Sequence, residues 1–267
     1  ETLSGTTLRT FGNRLALINR TRSAVAIDIG SSAIKLLELE SERPGKHRLK
    51  HFGVAPVPPE AIVDGAFMNT SAITTAIKDL LARNRVKTKD AVVAVSGTSV
   101  IIKRMEVEAP SPRELQDQVF WEAEQYLPFD VSEVVMDYHV LSRGKDNRTD
   151  VLLVAVKRSV LQSYLSVVED SGLKPKVVDL DFFALQNLHE VNSLWTPGGG
   201  ASQGGAVALV DIGASAMKLL VLQNGVPVFT KDTSIGGRNL TSEIQRHLNL
   251  QYADAETLKV GGMPSSL

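Results

Sequence analysis

One fifteen-residue pattern occurs twice in this chain, and that duplication limits the fold more than any other feature. Residues 25–39 read VAIDIGSSAIKLLEL and residues 208–222 read ALVDIGASAMKLLVL; without a gap, at an offset of 183, nine positions are identical. Two apolar strands resemble each other by composition alone, but they do not share a D-I-G-x-S turn by that route. A supersecondary unit has been duplicated, and the fold must accommodate two copies of strand, turn and strand.

The residues after each copy extend the likeness. The first is followed by a turn at 41–46, a strand at 48–56 and a helix at 71–84. The second is followed by Asn224-Gly225, a hairpin turn because both residues tolerate positive φ. A strand at 226–231 comes next, then Ile235-Gly236-Gly237 and a helix at 240–248 with Asn239 or Thr241 as N-cap.

The block between the copies is different. Strands are predicted at 91–95 and 100–107, then a helix at 113–126 opened by Ser111 as N-cap, Pro112 and Glu114. Two strands at 134–142 and 151–157, a helix at 159–171 stopped by Gly172, a strand at 176–180 and a helix at 182–191 complete it. Residues 196–205 hold five glycines and a proline and read as a linker. The expected domains are a tail or amphipathic helix at 1–23, a first core at 24–98 and 173–195, an inserted protein-binding subdomain at 99–172, and the start of a second core at 206–267. The tail pattern rests on Leu8, Phe11, Leu15 and Ile18.

With 29 Lys and Arg against 30 Asp and Glu, the net charge of −1 argues against a polybasic nucleic-acid binder. The chain has no cysteine, which excludes disulfides and cysteine nucleophiles, and its five histidines show no metal-ligand spacing. No apolar run is long enough to span a bilayer.

In the turns, glycine lets backbone amides approach an anion, and hydroxyls beside it can hold phosphate oxygens. The candidates are Asp28, Gly30, Ser31, Ser32 and Lys35 in the first copy, and Asp211, Gly213, Ala214 and Ser215 in the second. Two carboxylates beside a polyphosphate repel it by about 4 kcal/mol per charge pair at 4 Å and an effective dielectric of 20. Mg²⁺, held through water by Asp28 and Asp211, would offset that. Lys218, the counterpart of Lys35, is expected to be solvated.

The paired turns resemble the two phosphate motifs of the actin-like ATPase superfamily. Val177 to Leu185 is similar to that superfamily's connecting helix, where Asp181 matches an acidic position facing metal and attacking water; Gly236 and Gly237 suit its second half. The run from Trp121 to Phe129, WEAEQYLPF, resembles the signature segment of the PilM family of type IV pilus assembly proteins. By periodicity alone that run is an amphipathic helix with a core tryptophan and solvated Glu122 and Glu124.

The resemblance implies an α/β, ribonuclease H-like duplicated fold with a small inserted β-α-β-β-α subdomain. The second half ends after one unit, which suggests a shortened chain. It also implies ATP and Mg²⁺ as cofactors, with Asp181 as the catalytic candidate. Asp181 is shorter than the glutamate common there, and Met217 replaces a hydroxyl, so at most a slow ATPase is expected. The implied role is a cytoplasmic scaffold at the inner face of the inner membrane, serving twitching motility. Its partners would be the cytoplasmic N-terminal peptide of PilN and pilus motor or platform proteins; a homo-oligomer is left open, and contact with the membrane is indirect. A small-molecule kinase and an FtsA-like membrane-tethered division protein are the alternatives.

Overall fold

The computed structural model describes residues 23–43, 46–63, 65–97, 99–108, 111–144, 146–195 and 205–264. The amphipathic pattern at 1–22 and most of the glycine-rich stretch, 196–204, lie outside the described residues.

The first copy forms β1 (Val25–Ile29) and β2 (Ala33–Arg43), followed by β3 (Lys46–Pro56). A short ribbon, β4 (Ile62–Val63) and β5 (Ala66–Phe67), leads to α1 (Thr70–Arg83) and β6 (Asp90–Val95). The intervening block supplies β7 (Val100–Glu108), α2 (Pro112–Ala123), β8 (Val134–Arg143), β9 (Arg148–Lys157) and α3 (Arg158–Asp170). Then come β10 (Lys174–Leu180), α4 (Asp181–Trp195), and the second copy as β11 (Ala206–Ile212), β12 (Met217–Gln223) and β13 (Val226–Thr233). Helices α5 (Gly237–Leu248) and α6 (Tyr252–Lys259) follow.

The first sheet has the order β10-β6-β1-β2-β3. Strands β1, β2 and β3 pair antiparallel through short turns, while β6 and β10 join parallel after helical crossovers. The alternation in Asp90–Val95 explains β6: Ala91, Val93 and Val95 are buried and the residues between them are not. The second copy builds a three-stranded meander, β11-β12-β13. Its Asn224-Gly225 hairpin has positive φ at both residues, as the dipeptide predicts.

The inserted strands form a third sheet, β7-β9-β8. The strand β9 is central and apolar on both faces, so it has two cores to serve. Val151 and Leu153 pack under α2 with Leu115 and Val119, whereas Leu152, Val154 and Val156 join the first-half core. Helix α3 goes to that first-half core as well, through Leu161, Tyr164, Leu165, Val167 and Val168. It therefore packs with α1, β6 and β10 on one side and against β9 of the inserted sheet on the other, and joins the insertion to the first core.

Two local expectations are corrected. Trp121 is not a core residue: it is 62% exposed, because α2 buries the Leu115, Val119 and Ala123 stripe and Trp121 projects from the other side. Helix α5 starts at Gly237 with Gly236 as its cap, not at Asn239 or Thr241. The Asn239 carboxamide oxygen instead accepts from the Gly236 amide at 2.8 Å, and Thr241 sits buried inside the helix.

Candidate functional site

The two Asp-Gly turns are the same turn. In each, the glycine amide donates to the carbonyl three residues on, Gly30 to Ala33 at 3.1 Å and Gly213 to Ala216 at 2.9 Å. A Cβ on either glycine would meet that carbonyl oxygen at 3.1 Å and 3.0 Å. A side chain there would crowd the carbonyl that closes the turn, so glycine eases the closure of both turns. Asp28 faces Lys35 across β1 and β2, and Asp211 faces Lys218 across β11 and β12.

The turns meet although they are far apart in sequence. Ser215 donates its hydroxyl to the Ser31 hydroxyl at 2.8 Å, and the Arg238 guanidinium donates to the Ser31 carbonyl at 2.6 Å. Ser32 is exposed, and its carbonyl accepts from the Val57 amide at 2.9 Å. Helix α5 seals the second turn: the Gly237 amide donates to Gly213 at 2.9 Å and the Arg238 amide to Ala214 at 2.8 Å. A Cβ at Gly236 would lie 2.7 Å from both of those carbonyl oxygens, so only glycine allows this approach. Gly236, Gly237 and Ala214 are accordingly engaged with one another. Arg238 was not among the sequence candidates; its signal is a cation just after a Gly-Gly pair that opens a helix.

The two lysines differ. Lys35 bonds Asp28 at 2.7 Å, with both side chains 55% exposed. Lys218 is not solvated, against expectation: its side chain is 16% exposed and its ammonium donates to the Asp181 carboxylate. The other Asp181 oxygen accepts from the Phe182 amide at 2.7 Å, so both oxygens of the candidate catalytic residue are in use. Asp232, missed in the sequence, lies directly opposite Lys218 on β13. Burial pushes the Lys218 amine down, against the Asp232 and Asp28 charges, which favour its charged form. Burial raises Asp232, with Asp211 acting in the same sense and Lys218 opposing, and one Asp232 oxygen is buried with no hydrogen-bond partner.

This arrangement does not suit Mg²⁺. Asp28 and Asp181 already hold ammonium groups, and Asp211 faces the Lys218 ammonium across the strand pair. A divalent cation 4 Å from an ammonium is repelled by about 8 kcal/mol at an effective dielectric of 20.

A small apolar pocket lies between the inserted sheet and the first-half core. It is lined by Val95, Val135, Val154, Val156, Leu161, Val178 and Leu180, with Asp137 and Asp179 among them. Burial pushes the Asp179 carboxyl up to about 6, against a bond from the Leu180 amide. A carboxylate left in an apolar pocket marks a candidate binding site. The sequence hides it, because Asp179 reads as one polar position in a half-buried strand.

Comparison with known proteins agrees with this architecture. The solved "PilM-PilN type IV pilus biogenesis complex" superposes with a TM-score of 0.79 at 28% identity, covering 89% of this chain and 69% of that one. The cytoplasmic domain of EpsL, an inner-membrane component of the Vibrio cholerae type II secretion system, shares the fold at 17% identity, with a TM-score of 0.50 and coverage of 86% and 77%. The cell division protein FtsA of Bacillus subtilis is 25% identical over 91% of this chain, which spans 58% of FtsA's length. The fold is the actin-like one expected from the duplicated turns. The family model of the type IV pilus assembly protein PilM matches residues 26–266, and the chain belongs to that family.

Proposed function

We propose that this chain is a cytoplasmic scaffold of the type IV pilus machine. It holds the short cytoplasmic tail of an inner-membrane protein of the PilN kind and passes that attachment on to motor or platform proteins. The observation that carries the reading is the family match over residues 26–266, together with the strand edge that β8 offers beside a small apolar pocket and Asp179. An extended peptide pairing along that edge can place one small apolar side chain in the pocket and a polar or basic group on Asp179. The flanking strands β7 and β8 are sheet edges, so their outer backbone groups can pair with a peptide strand. No described helix is long and apolar enough to cross a membrane.

The test is a fluorescence titration with a labelled peptide of the cognate PilN N-terminal segment. Val135→Trp fills the pocket and should weaken binding at least about tenfold, which corresponds to about 1.4 kcal/mol. Unchanged affinity in a folded variant contradicts the assignment.

The proposal extends to ATP bound at the paired turns. The exposed Ser32 hydroxyl and Lys35 are the groups offered to phosphate oxygens, and Asp28 orients Lys35. Turnover should fall well below a typical enzyme rate of about 10 s⁻¹, since the Lys218 ammonium and the Phe182 amide both bond the Asp181 carboxylate and leave it a weak base for a water. Lys35→Ala should lower ATP affinity in calorimetry; an unchanged value counts against phosphate contact there.

A further inference from the structure

A largely buried cation already sits beside the paired turns. Lys218 is directly opposite Asp211 on β11 and Asp232 on β13, so the three side chains share one face of the meander. Asp181, at the start of α4, reaches the same ammonium from outside the sheet. The first copy lacks this enclosure: Lys35 faces Asp28 on one side and Val54 on the other. Lys218 is correspondingly enclosed where Lys35 is half exposed.

We propose that the Lys218 ammonium is the resident cation beside the paired turns, in place of a divalent metal ion, so that an anion held by Lys35 needs no metal bridge to the carboxylates. The inference rests on the nucleotide reading only for the identity of the anion. The charge pattern supports it independently: the second copy has gained a carboxylate, Asp232, and its lysine has exchanged the neighbouring strand's aspartate for Asp181. Both changes place negative charge around one fixed ammonium. Magnesium needs room for its retained waters and near-octahedral oxygen ligands, which a lysine bonded to Asp181 denies it.

Mn²⁺ alone is the probe, followed by the electron paramagnetic resonance signal of the free ion. The unmodified chain should show no saturable site below about 1 mM. Lys218→Met removes the charge while keeping most of the stem, and it should create a site at least about tenfold tighter. Adding Asp181→Asn should remove that site. The proposal is overturned if the unmodified chain binds Mn²⁺ saturably and Asp181→Asn abolishes it, a measurement that does not depend on how Lys218→Met folds. It is also overturned if Lys218→Met, folded by circular dichroism, gains no site. ADP titrations with EDTA or Mg²⁺ separate the two readings. Equal affinity supports Lys218 as the cation and a tenfold gain with Mg²⁺ overturns it; absence of binding in both buffers refutes the nucleotide reading and leaves the Mn²⁺ result to decide this one.

Discussion

Within this chain the two copies of the repeat are covered on different faces. In the first, Ile27, Ile29, Ile34 and Leu36 are buried under the helices of the first-half core. Their counterparts in the second include Val210 and Ile212, which are 54% and 66% exposed. The second copy instead buries Leu220 and Leu222, against Phe182 of α4. Their counterparts Leu37 and Leu39 are not in the first core, and Leu37 is 38% exposed. The strands keep one backbone turn and differ in burial within this chain: α1 and α3 cover one face of the five-stranded first sheet, whereas the three-stranded second sheet is covered by α4 on the face that carries Lys218.

That reversal predicts the largest effects. Leu36→Ala should cost about 2–5 kcal/mol in urea denaturation, as buried leucines do, and its repeat mate Leu219→Ala less than about 1 kcal/mol. One position along, the order inverts: Leu220→Ala should be costly and Leu37→Ala mild. Equal costs within either pair would break the comparison.

Two carboxylates of the first sheet sharpen it through pH. Asp179 is raised from the ordinary 3.8 to about 6 by burial, so the folded state takes up a proton that the unfolded state does not. Stability is therefore lost as pH rises from about 4 to about 6, by up to about 3 kcal/mol. Asp179→Asn should restore most of that at pH 7.5 and little at pH 4. Glu38 has the opposite sign. Burial pushes its carboxyl up, but hydrogen bonds from Thr88, Lys50 and Ser23 outweigh that and hold it below the ordinary 4.5. Its stabilisation is present above the unfolded value and lost as pH falls through the folded one. Glu38→Gln should flatten the acid limb of the stability curve; the second copy has Val221 there, so no matching effect arises from it.

The turns, the strands around them and the actin-like fold were legible because D-I-G-x-S and the Asn224-Gly225 hairpin are local backbone signals. The buried face of β12 was not, because Leu219, Leu220, Val221 and Leu222 are apolar on both sides and alternation carries no sign. Trp121 was misread by residue type, although its spacing from Leu115, Val119 and Ala123 already set it off their stripe. Burial of Lys218 depends on Asp181, 37 residues upstream, and no local pattern records that contact. Asp179 becomes unusual only when β8, β9 and α3 enclose it.

The most direct test of divergence between the copies is a pair of double-mutant cycles read by denaturation. Lys218 with Asp181 is compared against Lys35 with Asp28, each residue being replaced by alanine singly and together. A paired charge at the surface couples by about 0.5 kcal/mol or less, whereas a partly buried pair reaches about 1–3 kcal/mol. The account predicts the larger coupling for Lys218 with Asp181 and the smaller for Lys35 with Asp28. Equal couplings, or a larger one at Lys35, would contradict it.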